Sequence, residues 1–334
     1  MNAEFLPTID KKSASEYFFR IGMALLVLRV LTTGLQLGIQ YIIMGINPAL
    51  YEKLIGGWWF PWALSIIPLY AVALPVFWIA LPRQTEKYKA KTMSFGKLFG
   101  SVAACFPFMY IGSIIGTFVN ELLANAGAVE PNSLQEIIDA SPMWIIALCT
   151  VVIAPIGEEL IFRKLLIDRL SPFGEVQAVI FSAVSFGLFH GNFHQFFYAA
   201  LLGAVLGYVY VKTKNIWYSV IMHAVINFVG SVLSVWALRG IEKLMELYEL
   251  DAEALAEAIT PEILADILPI FVYSAVFTPL LIGGTIYVLV NAKKVKFDPA
   301  RLKVEGGAAF ALWSNPAVIT AIAAMLATFI LNFI

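Results

Sequence analysis

Along the chain, long uncharged apolar runs alternate with short stretches in which the charged residues are bunched. Crossing the ~30 Å hydrocarbon core of a bilayer takes about 20 predominantly apolar residues in a helix. By that measure nine stretches qualify, at 18–46, 57–82, 98–120, 143–162, 176–192, 195–211, 215–237, 269–292 and 308–334. The pattern predicts an all-α, polytopic integral membrane bundle of about eight or nine transmembrane helices. The first run is too long for a cleavable signal and carries Arg20 and Arg29, so it is expected to be retained.

The polar stretches between the runs set orientation. With the N-terminus cytoplasmic, segments 1–20, 83–97, 163–175, 212–214 and 293–305 lie inside and hold 18 of the 22 Lys and Arg. Outside fall only Lys53, Arg239 and Lys243, together with 13 of the 23 acidic residues. This asymmetry supports an odd number of spans and a C-terminus on the outer side. The organisation expected is N-terminal transmembrane helices over 1–142, a four-helix core over 143–237, an acidic extracytoplasmic segment over 238–268 and C-terminal transmembrane helices over 269–334. The acidic segment reads as one or two surface helices broken at Pro261.

Composition agrees. Of 334 residues, 60% are apolar and 13% charged, against about 45–50% and about 25% in soluble domains, which excludes a soluble globular enzyme. The net charge of −1 shows no basic excess, so no nucleic-acid partner is expected. Cys105 and Cys149 lie inside apolar runs and read as small core residues.

Within or at the edges of the spans the charges that remain are Arg29, Glu158, Glu159 and Arg163. A charge in hydrocarbon costs about 2.5–3.5 kcal/mol on insertion scales and is functional by default. Glu159 and Arg163 are spaced i and i+4 with the acid first, the favoured direction for a helical ion pair. Glu158 points about 100° away from that pair and is left available. The chain's three histidines, His190, His194 and His223, fall on or beside later spans. Phe186 and His190 share a helix face, as do His223 and Asn227. A glutamate, two histidines and an asparagine from three spans form a set holding a base, a polariser and oxyanion donors. Partial desolvation makes Glu158 a better base than a carboxylate in water. At 1.5 Å per residue, however, His190 lies about 21 Å above Val176, whereas Glu158 lies about 8 Å above Arg163 and His223 about 12 Å above Asn215. The fifth helix is therefore expected to begin well below the membrane surface, with Gly174, Glu175 and Gln177 in water.

Glu158-Glu159-x-x-x-Arg163, Phe186-x-x-x-His190 and His223-x-x-x-Asn227 together resemble the three core motifs of the CPBP (Abi) family, which comprises type II CAAX prenyl endopeptidases and bacteriocin-processing or self-immunity proteases. The resemblance spans about residues 143–230, including the Gly207-Tyr208-x-Tyr210 and Lys212-Thr213-x-Asn215-Ile216-Trp217 runs. It implies a helical intramembrane endopeptidase in a bacterial cell membrane, acting on a peptide or a membrane-protein segment. Glu158 and His190 would activate a water, His223 and Asn227 would stabilise the oxyanion, and Glu159 and Arg163 would form a structural pair.

No cofactor is required by this reading. Zinc is a possible addition, with Glu158, His190 and His223 as its ligands, because a catalytic site needs three protein ligands plus water. No His-Glu-x-x-His occurs, so the usual zincin arrangement is absent, and His194 reads as a rim residue. No Gly-x-Ser-x-Gly or Gly-x-Gly-Asp occurs either. Two other classes use similar residues: a transporter with a Glu/His proton relay, and a protease-like scaffold that does not cut. A transporter usually shows an internal repeat, whereas this polar set occurs once. Gly112/Gly116 and Gly203/Gly207 predict close helix packing, and Trp58, Trp59, Trp144 and Trp217 predict interfacial anchors. Arg29 either neutralises a carboxylate or snorkels.

Overall fold

Each apolar run folds as a helix, because in hydrocarbon a backbone must satisfy its N–H and C=O groups within its own segment. The computed structural model describes residues 6–84, 86–128, 137–138, 140–248 and 260–331. In chain order the helices are α1 (Lys11–Ile46), α2 (Pro48–Ile55), α3 (Trp59–Ala80), α4 (Phe95–Asn125), α5 (Met143–Phe173), α6 (Glu175–Phe189), α7 (Phe193–Thr213), α8 (Ile216–Met245), α9 (Pro261–Asn291), α10 (Ala308–Trp313) and α11 (Pro316–Leu331). Among the described residues, seven helices are long and apolar enough to cross a membrane alone, and α6 and α11 are shorter apolar helices. The protein is an all-α polytopic membrane bundle.

The boundaries depart from expectation where a charge or a proline carries a role other than breaking the span. The fourth run continues as helix to Phe173 rather than stopping near 162. Its charges mimic a loop in sequence but are partnered, and all but Lys164 are buried: Arg163 is 0%, Asp168 1% and Arg169 5% exposed. Asp168 takes Lys164 at 2.9 Å and Lys214 at 3.4 Å. Arg169 donates to the carbonyls of Pro82 and Leu165, each at 2.8 Å. Pro261 stands at a helix start. It opens α9, where Thr260 is the N-cap and proline's missing N–H costs nothing at the first turn. Residues 249–259 of the acidic segment lie outside the described residues. The last run divides in two at Asn315, whose amide donates to Ser15 O at 2.9 Å and whose Oδ1 accepts the Ala317 N–H at 3.1 Å.

The five basic segments gather at one end of the bundle. β1 (Thr8–Ile9) pairs in parallel with β2 (Lys303–Val304). Arg301 reaches Glu86 at 2.7 Å and Tyr88 Oη at 3.0 Å, and Lys91 N donates to Thr213 O at 2.7 Å. Lys214 closes α7 in the left-handed region (φ 52°), a conformation unfavourable for a non-glycine residue. Its ammonium is tied to Asp168 and to Ser171 Oγ at 2.8 Å and lies 4.0 Å from the Tyr88 ring centroid. Burial lowers the pKa of this ammonium, with Asp168 opposing. Burial also pushes the Tyr88 phenol above its ordinary range.

Glycines set the tightest helix contacts, as their spacing predicts. A Cβ at Gly112 or Gly116 would strike the α7 backbone at Tyr198 or Phe193, and one at Gly203 would meet Ala183 and Phe186 of α6. Around these contacts a core forms from Phe18, Phe77, Phe162, Phe181 and Leu166, all 0% exposed. Trp58, Trp59, Trp144 and Trp217 face outward, from 36% to 59% exposed, and Cys105 and Cys149 are buried free thiols.

Candidate functional site

Glu158 and Glu159 sit in the middle of α5, between two π-helical stretches at Ala147–Ile153 and Leu160–Ile167. Such insertions re-aim side chains relative to a regular helix. Because α5 runs on to Phe173 and turns into α6 at Gly174 (φ 122°), the chain climbs about 22 Å from that turn back to Glu158 and about 22 Å forward to His190. This removes the difference in height that the sequence implied. The fifth helix does begin far from the site, but α5 accompanies it. Glu175, expected in water, is 7% exposed. Its Oε2 takes Lys212 Nζ at 2.5 Å and the Asp298 N–H at 2.8 Å.

The two glutamates meet on one imidazole. His223, on α8 and 3% exposed, approaches Glu159 Oε1 with Nδ1 at 2.9 Å and Glu158 Oε2 with Nε2 at 3.7 Å. The first is a hydrogen bond; the second is an electrostatic contact beyond hydrogen-bond length. Glu158 is therefore not free of partners as its helical angle suggested, although its side chain remains 17% exposed. Glu159 does more than pair with Arg163. One oxygen orients His223, and the other lies 3.1 Å from Arg163 Nε. Glu159 and Arg163 are both 0% exposed, and their approach is a charge contact without hydrogen-bond alignment: Glu159 Oε2 and all three guanidinium nitrogens lack a hydrogen bond. The Arg163 guanidinium also lies 4.5 Å from the Phe186 ring centroid.

Phe186 links the remaining parts. Its ring takes His190 edge-on at 4.9 Å and His223 edge-on at 5.7 Å, so both imidazoles abut one aromatic surface. His190 Nδ1 lies 2.8 Å from Phe186 O. A carbonyl only accepts, which assigns the proton to Nδ1 and leaves the lone pair on Nε2 in the neutral ring. Glu158 lies within electrostatic reach of His190, Tyr70 and Tyr198. Asn227 donates to Thr150 O of α5 at 2.7 Å, which fixes its amide and leaves a second N–H. His194 is exposed at the start of α7.

Two supports were invisible in the sequence. Arg29, in α1, donates from Nη1 to Phe189 O at 2.9 Å, and its guanidinium stands 5.4 Å from the Phe189 ring centroid. Among the described residues no carboxylate forms an ion pair with it; it caps the carbonyl end of α6 beside His190. The following Gly191 has φ 72°, and a Cβ there would press on Arg29 and Thr328. The second support is the Thr150 carbonyl that holds Asn227. No periodicity in α1 or α5 could have shown either pairing. Among the described residues, no group of three His, Cys, Asp or Glu side chains is placed to hold a metal ion.

Fold and site together define an integral membrane protein with a buried polar core. Residues 140–229 match the family model for Rce1-like proteins, described as type II CAAX prenyl endopeptidase Rce1-like. The matched segment contains all three motifs, and the resemblance read from them holds. The chain is also 25% identical over 168 residues, 49% of its length and 68% of the relative's, to the Bacillus subtilis (strain 168) protein named "Putative membrane peptidase YdiL". No solved structure matches it significantly.

Proposed function

We propose that the protein is an intramembrane endopeptidase that hydrolyses a peptide bond of a membrane-associated protein or peptide, of the CAAX-like or the leader- or bacteriocin-processing type. The observation that carries this reading is the convergence of Glu158 and Glu159 on His223, with His190 against the same Phe186 ring.

In this reaction Glu158 takes a proton from water with the help of His190 Nε2, and the resulting hydroxide adds to the scissile carbonyl. The negative charge that develops on the carbonyl oxygen is met by the second Asn227 N–H and by His223 Nε2–H when that ring is protonated. A preorganised donor of this kind lowers the barrier by about 3–4 kcal/mol. Glu158 then returns its proton to the leaving amine as the C–N bond breaks. Glu159 and Arg163 hold His223 in place and do not touch substrate. No step calls for a metal. The basic end of the bundle is the cytoplasmic end, with the N-terminus inside.

The test is cleavage by purified protein of a panel of prenylated C-terminal peptides, leader peptides and membrane-protein segments, with Glu158→Gln alongside. Wild-type cleavage that Glu158→Gln abolishes at near-normal folded yield supports the proposal. Full activity of Glu158→Gln removes the general-base assignment, and absence of wild-type cleavage across the panel argues against the activity.

A further inference from the structure

α4 and α9 touch where Gly100 meets the Tyr287 ring and where Gly284 meets the backbone of Ala103. Beside these contacts they leave a groove of about 560 Å³ lined by apolar side chains and glycines, among them Gly96, Phe99, Val276, Pro279 and Gly283. Its depth comes from missing side chains: a Cβ at Gly96 or Gly283 would meet nothing within 4 Å. Along α9 the groove runs from Val276 to Tyr287, about 17 Å at 1.5 Å per residue. That is close to half of the ~30 Å hydrocarbon thickness, the depth reached by an acyl chain of a single leaflet.

One end of the groove opens at the basic end of the bundle. Lys97 follows Gly96 directly. Beyond Tyr287, Asn291 donates to the Tyr287 carbonyl at 2.9 Å and accepts Lys294 Nζ at 3.1 Å, which holds this lysine above the groove. Lys97, Lys293 and Lys294 are exposed. Neither residues 87–120 nor residues 267–297 contain an Asp or Glu, and the next acid along the chain, Asp298, is engaged by Lys212 at 3.1 Å. The mouth therefore presents uncompensated cations at the level where lipid headgroups lie, above an apolar slot one leaflet deep. A zwitterionic headgroup would bring its own cation to these lysines, whereas an anionic phosphodiester without one complements them.

We propose that the α4–α9 groove is a binding site for one anionic phospholipid, with an acyl chain in the slot and the headgroup phosphate held by Lys97, Lys293 and Lys294. The site is independent of the proposed peptidase activity, and its test needs no cleavage.

The experiment is native mass spectrometry of the full chain with palmitoyl-oleoyl phosphatidylglycerol or the phosphatidylcholine of identical chains, with size-exclusion light scattering alongside. Wild type should retain phosphatidylglycerol preferentially. Lys97→Gln, Lys293→Gln and Lys294→Gln should each weaken that preference about fivefold. Gly283→Leu should abolish retention of both lipids by filling the slot, and Gly96→Leu on the opposite wall should do the same, so that misfolding of one variant leaves the other to decide. Equal retention of the two lipids by wild type overturns the proposal, as does undiminished phosphatidylglycerol binding by a folded slot-filling variant. A shift from dimer to monomer in the slot-filling variants also overturns it, because a second copy of the chain would then be the occupant.

Discussion

Removing the Glu159 charge tests how the site is held together. In Glu159→Gln the Arg163 guanidinium, 0% exposed, loses its nearest charge partner and keeps the face of Phe186 at 4.5 Å and the weaker influence of the Glu158 charge. Breaking a buried pair by removing one member costs about 3–5 kcal/mol, because it leaves an uncompensated charge away from water. The glutamine carbonyl still accepts from His223 Nδ1, so the loss there is the charge assistance alone, about 1 kcal/mol. The total, about 4–6 kcal/mol, compares with a typical stability of about 5–15 kcal/mol and brings the variant near its threshold. Arg163→Met should cost a similar amount by leaving the Glu159 carboxylate buried without its cation, with His223 and Ser219 as its remaining partners. The double variant Glu159→Gln/Arg163→Met removes both charges and should recover about 2–3 kcal/mol relative to the summed single costs. Equilibrium unfolding in mixed micelles measures all three, with Glu158→Gln as a control expected to stay close to wild type because its side chain is part-exposed. Strict additivity of the two single costs, or a Glu159→Gln variant as stable as Glu158→Gln, would refute the compensating pair.

Arg29→Met should lower kcat by about tenfold or more at little changed KM, since small displacements of a catalytic group are costly, and Arg29→Lys should restore part of it; a wild-type rate in Arg29→Met would show that the cap on Phe189 does not position His190. For orientation, Lys89→Cys should resist a membrane-impermeant maleimide in intact cells while Met245→Cys, at a position 65% exposed, should react; the reverse pattern inverts the topology. Active protein is expected to work without metal, and elemental analysis showing stoichiometric zinc, whose removal stops cleavage and whose return restores it, would reverse that expectation.

The all-α membrane class and the shared end of the basic segments were legible in sequence because they follow from local quantities: run length against bilayer thickness, and the side on which Lys and Arg fall. Glu158, His190 and His223 stand out in the sequence because an ionisable group in a span is conspicuous against hydrocarbon, and Asn227 because it lies one helical turn beyond His223. What tertiary structure alone decided are pairings between helices. A charged run at 163–169 reads as loop until Lys214, Pro82 and the turn at Gly174 supply partners that keep it helical and buried. Glu159 looks like half of a helical ion pair until α8 brings the His223 imidazole to its other oxygen. Arg29 had no meaning in its own helix, since the carbonyl it caps lies on α6. Hydrophobic periodicity carries information about one helix and its solvent; which polar atom meets which is set by how helices far apart in sequence pack, and no single segment records it.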